Sequence, residues 1–170
     1  MPRSSKQDAA KHRQQVIEGA SELFRERGID GVNVGELMGA AGLTHGGFYR
    51  HFASKDELAG LAAAHAITAQ AETLGDERAF IEGYLSPEHR DDVAHGCVVS
   101  ALGPELARAD DPVREAFVEA YRAFVERFGD DEQALAKLST MVGALVISRV
   151  TKGDPLSDEV LAAARGALLS

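Results

Sequence analysis

Apolar side chains in this chain recur at spacings of three and four residues, and no useful length alternates apolar and polar residues as a half-buried strand requires. A chain patterned this way can bury its apolar stripes only by packing helix on helix, so the expected class is all-α. Glycine and proline punctuate the runs. Residues 11–28 carry Val16, Ile17, Ala20, Leu23 and Phe24 on one stripe, closed by Gly28. Asn33 with Glu36 three residues on is a capping pattern that opens a short second helix over 34–41. Gly42 supplies a turn, and Thr44 is placed to cap a third helix running through Phe52. Ser54 with Glu57 repeats the capping pattern for a fourth helix over 55–72, broken by Gly75.

The rest continues in kind. A helix is expected over 76–85, then a loop over 86–96, because that segment is polar and has no apolar period. Residues 97–109 read as helical despite Pro104. Asp111 caps the next helix with Pro112 at its first position, and Val113, Phe117, Ala120, Tyr121, Phe124, Val125 and Phe128 form its stripe up to Gly129. Asp130 and Asp131 start a further helix that ends before Gly153 and Pro155, and the last spans 157–169.

With 170 residues, 45% of them hydrophobic, the chain has enough apolar side chain for a folded core, which excludes wholesale disorder. Its single cysteine, Cys97, excludes an intramolecular disulfide framework and a cysteine-based zinc site. No run is long and apolar enough for a membrane span, and the first residues lack the apolar stretch of a signal peptide, so a cytoplasmic location is expected. Charge is divided unevenly. Residues 1–55 hold eight basic against six acidic side chains, and residues 56–170 hold ten against twenty-one, for a net −9. Arg3, Lys6, Lys11 and Arg13 crowd the start, and Arg50, His51 and Lys55 form a second basic group. A polyanion would be drawn to that end and repelled by the remainder.

Helix, glycine turn, helix over 33–52 is the arrangement of a DNA-binding helix-turn-helix. The residues NVGELMGAAGLTHGGFYRHFASKDEL, and Leu23-Phe24-Arg25-Glu26-Arg27-Gly28 before them, closely resemble the signature of the TetR (tetracycline-repressor-like) family of bacterial transcription regulators. The resemblance implies a three-helix DNA-binding head over 1–55 and a helical ligand-binding and dimerisation bundle over 56–170. In the head, Leu37, Ala41, Leu43, Phe48 and Phe52 are expected to pack with Val16, Ala20, Phe24 and Val34. Thr44, His45, Gly46, Gly47, Tyr49, Arg50 and His51 are expected to face outward. Tyr49, His51 and Lys55 match family positions that contact the DNA backbone, whereas Thr44 and His45, near the helix start, are the candidates for reading bases. Gly46 and Gly47 depart from the side-chain-bearing residues usual there. They weaken the helix by roughly 1 kcal/mol each relative to alanine, and direct readout is expected to be sparse.

For the body, the segment HGCVVSALGPELARADDPVREAF resembles one subgroup of these regulators without naming a ligand. Candidate linings of a small-molecule pocket are Tyr84, Cys97, Phe117, Tyr121 and Met141, each of which also suits plain core. The chain is short for the family around 68–80, which predicts a small or open pocket. Small residues on the last two helices, Gly143, Ala144, Ala162, Ala163 and Gly166, allow a close four-helix interface between two copies, and a palindromic operator favours such a homodimer. Cys97 reads as a small buried hydrophobe rather than a redox sensor. His89, Asp91, Asp92 and His95 could bind a divalent metal, but a polar loop gives them no settled geometry, and neither metal nor cofactor is expected. No Gly-x-Ser-x-Gly elbow, phosphate loop or His-Glu-x-x-His pattern occurs, so no enzyme is expected. The reading is a ligand-responsive repressor that binds double-stranded DNA as a homodimer and is released by an unknown small molecule. The rival is a helical small-molecule-binding or enzymatic domain with a vestigial head.

Overall fold

The computed structural model describes residues 6–129 and 132–170, and among them the regular structure is helical with no strand. The first helix, α1 (Lys6–Arg27), begins five residues before the expected start at Lys11. Good helix formers at Ala9 and Ala10 and an acid, Asp8, in the first turn extend it where periodicity gives no signal. It stops at Gly28, whose φ of +76° lets its N–H close on the Phe24 carbonyl at 2.8 Å. The next helix, α2 (Val34–Ala40), opens on the expected capping box. Asn33 Oδ1 accepts from the Glu36 N–H at 3.0 Å, and Glu36 Oε2 accepts from the Asn33 N–H at 2.9 Å.

The third helix departs from expectation. Residues His45–Arg50 form a 3-10 helix, and Thr44, though at its cap position, makes no capping bond through its side chain. Gly46 and Gly47 withdraw the propensity an α-helix needs, and so short a segment closes with the tighter i to i+3 bonds, Gly47 N–H to Thr44 and His51 N–H to Phe48.

Helix α3 (Lys55–Glu72) keeps the expected bounds, with Ser54 Oγ accepting from the Glu57 N–H at 3.0 Å. The return arm of the box is displaced by one residue, because Glu57 Oε2 takes the Ala53 N–H at 2.6 Å. Buried on several faces through Leu58, Ala59, Ala62, Ala63, Ala66 and Ile67, α3 is the post around which the molecule is built. Ser21 of α1 donates to its Ala62 carbonyl at 3.0 Å. On another face a Cβ at Gly60 would lie 3.2 Å from Val113 Cα of α7 (Asp111–Phe128), so small residues let these helices touch. The cap of α7 is Asp110 with Pro112 in second position, one residue earlier than expected, a normal uncertainty at a helix end.

Between them lie α4 (Glu77–Tyr84), α5 (Pro87–Asp91) and α6 (Val98–Leu106). Helix α5 falls in the segment read as a loop. Its five residues are too few to show a period, yet Ser86 caps it through its Oγ and Pro87 starts it. Helix α6 ends three residues before expectation, two positions past Pro104, with turn bonds over 105–109. Then come α8 (Glu132–Val150) and α9 (Leu156–Leu169). The expected start of α8 at Asp130 and Asp131 lies outside the described residues. Ser157, expected to begin α9, sits in its first turn and is buried, its Oγ donating to the Ser148 carbonyl at 2.6 Å to staple α9 to α8. One continuous core runs from Phe24 and Phe48 in the head through α3 to Met141, Leu145 and Leu161 in the body.

Candidate nucleic-acid interface and cavity

In the head, Val16, Ala20, Phe24, Leu37, Phe48 and Phe52 are buried as expected, while Val34, Ala41 and Leu43 pack around them half-buried. Two members were not anticipated. Val32 and Met38 are buried; Met38 sits one turn after Val34, a spacing that signals it. This core fixes the angle at which residues 44–51 are presented. Thr44, His45, Gly46, Tyr49 and Arg50 are exposed, and Gly47, His51 and Lys55 are half-buried. Tyr49 is 73% exposed, and its ring stands at 87° to buried Phe48 with centroids 5.3 Å apart. A rigid aromatic is thus anchored at its base and offered to solvent with its hydroxyl outermost. A Cβ at Gly47 would lie 3.4 Å from Met38 Cε, whereas one at Gly46 would meet nothing within 4 Å.

Arg13 does not belong to a loose basic tail. Its guanidinium lies 5.0 Å from the Phe52 ring centroid, donates to the His51 carbonyl at 3.3 Å and pairs with Glu57 at 3.5 Å. It therefore clamps the end of the 3-10 helix to α1 and α3. Arg3 lies outside the described residues.

A cavity of about 890 Å³ opens between α1, α3, α4 and α5. Its first wall is the face of α1 made by Glu18, Ser21, Glu22 and Arg25, at helical spacing and turned away from the head core. Phe80 and Tyr84 of α4 and His65 of α3 supply ring surface, and His89 of α5 lines the far side. The volume lies in the range of small-molecule sites, so the expected small pocket is not what forms. It is open, however, where exposed Thr73, Gly75 and Asp76 make the short connection from α3 to α4.

His89 is neutral by construction. Its Nε2 accepts from the Cys97 N–H at 3.1 Å, so Nδ1 carries the proton and donates to the Tyr84 carbonyl at 2.7 Å. Burial, aided by the nearby Arg149 charge, holds its pKa below the usual histidine value. Arg149 of α8 spreads its guanidinium over the His89 and Arg90 carbonyls and Ser100 Oγ, and Arg90 reaches Asp158 of α9 at 2.6 Å and Ser157 Oγ at 2.9 Å. Helix α5 is thereby bolted to α8 and α9. On the opposite side, Arg25 of α1 donates to the Ala94 carbonyl, and Glu105 of α6 accepts the Ile29 N–H at 2.8 Å beside the end of α1.

Residues 16–62, which hold α1, α2 and the 3-10 helix and enter α3, match the family model of bacterial regulatory proteins of the tetR family. Over these residues the chain carries the DNA-binding head of the TetR family. It is similar to the HTH-type transcriptional regulator AcrR of Shigella flexneri, with 40% identity over 58 residues, 34% of this chain and 27% of that protein. The match therefore spans about a quarter of that relative's length. Similarity to the HTH-type transcriptional repressor DhaR of Mycobacterium sp. is 26% over 165 residues, covering 92% of this chain and 80% of that one. In fold, a TetR-family regulator from Cytophaga hutchinsonii superposes with a TM-score of 0.72 at 21% identity, covering 99% of this chain and 97% of the other.

Within this family fold, Tyr84 is the one expected pocket residue that lines the cavity. Cys97 and Met141 are buried in the core beside it, and Phe117 and Tyr121 stack on each other with centroids 5.6 Å apart and do not line it. Sequence spacing could identify these as inward-facing but not choose between wall and core. The cavity residues that reading missed, Glu22, Phe80 and the pair Asp92 and His95, come from three segments with no shared motif. His95 stands between two carboxylates, with Nδ1 2.9 Å from Asp92 Oδ1 and Nε2 3.8 Å from Glu22 Oε1, and its hydrogen bond holds Asp92 below the ordinary carboxylate range. His89, Asp91, Asp92 and His95 do not converge. Asp91 turns to Arg90 and Lys152, and no group of three potential metal ligands occurs among the described residues. No helix among them is long and apolar enough to cross a membrane.

Proposed function

We propose that the chain is a ligand-responsive transcriptional repressor that binds a palindromic operator as a homodimer. The observation that carries this is the presentation of residues 44–51 on a three-helix head of the TetR family, with polar and aromatic groups outward and Phe48 and Phe52 inward. Tyr49, His51, Arg50 and Lys55 would hold phosphates, and Thr44 and His45 would meet base edges. Exposed Gly46 lets the backbone approach the groove closely, which shifts part of the recognition to DNA shape, whereas the missing side chain of Gly47 faces Met38 in the head core.

The homodimer is supported by a broad apolar surface left uncovered on α8 and at the start of α9. Leu135, Val146, Ile147, Val150 and Leu156 are exposed there, Val150 at 82%. With Ala162, Ala163 and Gly166 exposed on α9, a second copy can pack against this face across a two-fold axis. The division of labour is a head over 1–55 and a sensing, pairing body over 56–170, with α3 shared between them.

Release follows from where the cavity lies. One wall is α1 of the head, and the opposite wall is α5, tied to α8 and α9 by Arg149 and Arg90. A molecule between them biases the angle of the head relative to the dimer face, and hence the spacing of two heads on DNA. The test is fluorescence anisotropy on duplexes carrying the inverted repeats that flank the chain's own gene, titrated with salt. Log affinity should fall steeply and linearly with log salt. A flat response would favour the rival, a helical small-molecule-binding or enzymatic domain with an idle head.

A further inference from the structure

We propose that Arg13 is a positioning residue for DNA recognition: its guanidinium holds no phosphate but fixes the orientation in which residues 48–55 meet the duplex. The proposal deepens the regulator reading and rests on it for the effect on DNA, whereas the clamp itself is a property of the free chain. By sequence Arg13 belongs with Lys6 and Lys11 to the basic start of the chain, where a polyanion would be drawn. The structure turns it the other way. Its Nε donates to the His51 carbonyl at 3.3 Å, its Nη2 stands 3.5 Å from Glu57 Oε1, and its Cζ lies over the Phe52 ring at 5.0 Å from the centroid. A phosphate could claim this guanidinium only by competing with a carbonyl, a carboxylate and a ring at once.

What the clamp fixes is the segment that faces DNA in the regulator reading. The N–H groups of His51 and Phe52 both bond to the Phe48 carbonyl, so the 3-10 helix closes at His51, and a helix end leaves such a carbonyl unserved by its own backbone. Arg13 serves it. From Phe52 the ring contacts run outward, to Phe48 at 5.5 Å between centroids and from Phe48 to Tyr49 at 5.3 Å, so the stance of exposed Tyr49 depends on the ring that Arg13 covers. Glu57 extends the hold to the far side. While Oε1 faces Arg13, Oε2 accepts the Ala53 N–H at 2.6 Å and ties down the link between the 3-10 helix and α3. Left unpaired, that carboxylate would stand two residues from Lys55 and repel the phosphates Lys55 would hold. Arg13 thus sets the geometry of Tyr49, His51 and Lys55 and neutralises an acid beside them. A lysine could supply the charge but not the planar fork or the flat face laid on a ring.

The experiment compares the full chain with Arg13→Lys, which keeps the charge and removes the fork. Fluorescence anisotropy is run over a range of salt on the flanking inverted repeats and on a random duplex, with the active fraction counted by stoichiometric titration. Operator affinity should fall at least about fivefold, affinity for the random duplex should fall less, and the salt slope should stay unchanged. A residue that merely holds phosphate behaves otherwise, because lysine serves there as a point charge. Unaltered operator affinity in Arg13→Lys, or equal losses on operator and random duplex, therefore overturns the proposal. A lowered active fraction whose remainder binds with unaltered affinity marks a purely structural role and overturns it as well. A second measurement needs no DNA. In the free chain, hydrogen exchange over residues 48–54 should quicken at least about threefold in Arg13→Lys while that of α2 stays the same, and unchanged exchange overturns the clamp. The two readings separate on the unaltered chain. If it has no salt-sensitive affinity for its flanking repeats, the regulator reading fails and takes the DNA role of Arg13 with it, while the exchange result still decides whether Arg13 holds the segment. If it binds its repeats and Arg13→Lys binds them equally well, the regulator reading stands and the positioning role is overturned.

Discussion

The proposed division of the head's side chains between holding DNA and reading it is measurable. Tyr49→Ala and Lys55→Ala should weaken operator and random duplex alike, with the Lys55 change flattening the salt slope by about one. His45→Ala should instead change the ranking of operator variants, by about 1–3 kcal/mol at the base pair it meets. Equal losses on specific and random DNA would remove His45 from base reading. In the body, His89 sets a pH dependence whose sign is fixed by its environment. Its folded pKa lies below the unfolded value near 6.5, so the folded state resists a proton that the unfolded chain accepts. The stability it contributes is complete above about pH 6.5 and is lost as pH falls through that value towards the folded pKa. Melting curves between pH 7.5 and 5 should show this loss, and His89→Gln should flatten it. Asp91, held near a pKa of about 2 by hydrogen bonds from Arg90 and Lys152, works in the same direction at still lower pH, below the ordinary carboxylate range. That His89 is a structural hinge pin was not readable from residues 86–96, because both its partners, a carbonyl and an amide N–H, are backbone groups that leave no sequence signature.

Among the elements, those with caps were the most legible. The polar side chains of Asn33 and Ser54 must serve backbone groups within three residues, so α2 and α3 could be placed to the residue at their starts. Removing the first by Asn33→Ala should cost about 1 kcal/mol of stability, seen as a lower denaturant midpoint with unchanged slope. The 3-10 helix and α5 were misjudged for opposite reasons. Residues 45–50 resembled a helix by motif while two glycines undid the propensity, and α5 lacked any period while distant arginines held it. Gly46→Ala gives a direct check. Its Cβ meets nothing within 4 Å, so the change should stabilise the head by up to about 1 kcal/mol, and unchanged or lowered stability would mean that the 3-10 form is not set by the glycines. Arg149→Ala should cost about 1–3 kcal/mol, because three acceptors in α5 and α6 lose their donor together.

For the molecule as a whole, the proposed pairing and signalling would depend on surfaces that are assembled rather than encoded locally. Val150→Glu with Ile147→Glu should leave the single chain folded and shift sedimentation equilibrium to the monomer, taking operator affinity down with it, since a lone head holds only half a palindrome. A dimer unaffected by both charges would move the interface elsewhere. The all-helical class, the head and its inward aromatics could be read from the chain alone, because period, caps and glycine stops act over three or four residues and leave their mark in order. What only the tertiary structure decided is the cavity. Its carboxylates, rings and the bridging His95 come from α1, α3, α4 and α5 and the turn after it, and their meeting depends on how α3 seats both α1 and α7. Short-range patterns record which face of a helix is turned inward; they do not record which inward faces stop short of touching, and it is that gap that makes a cavity.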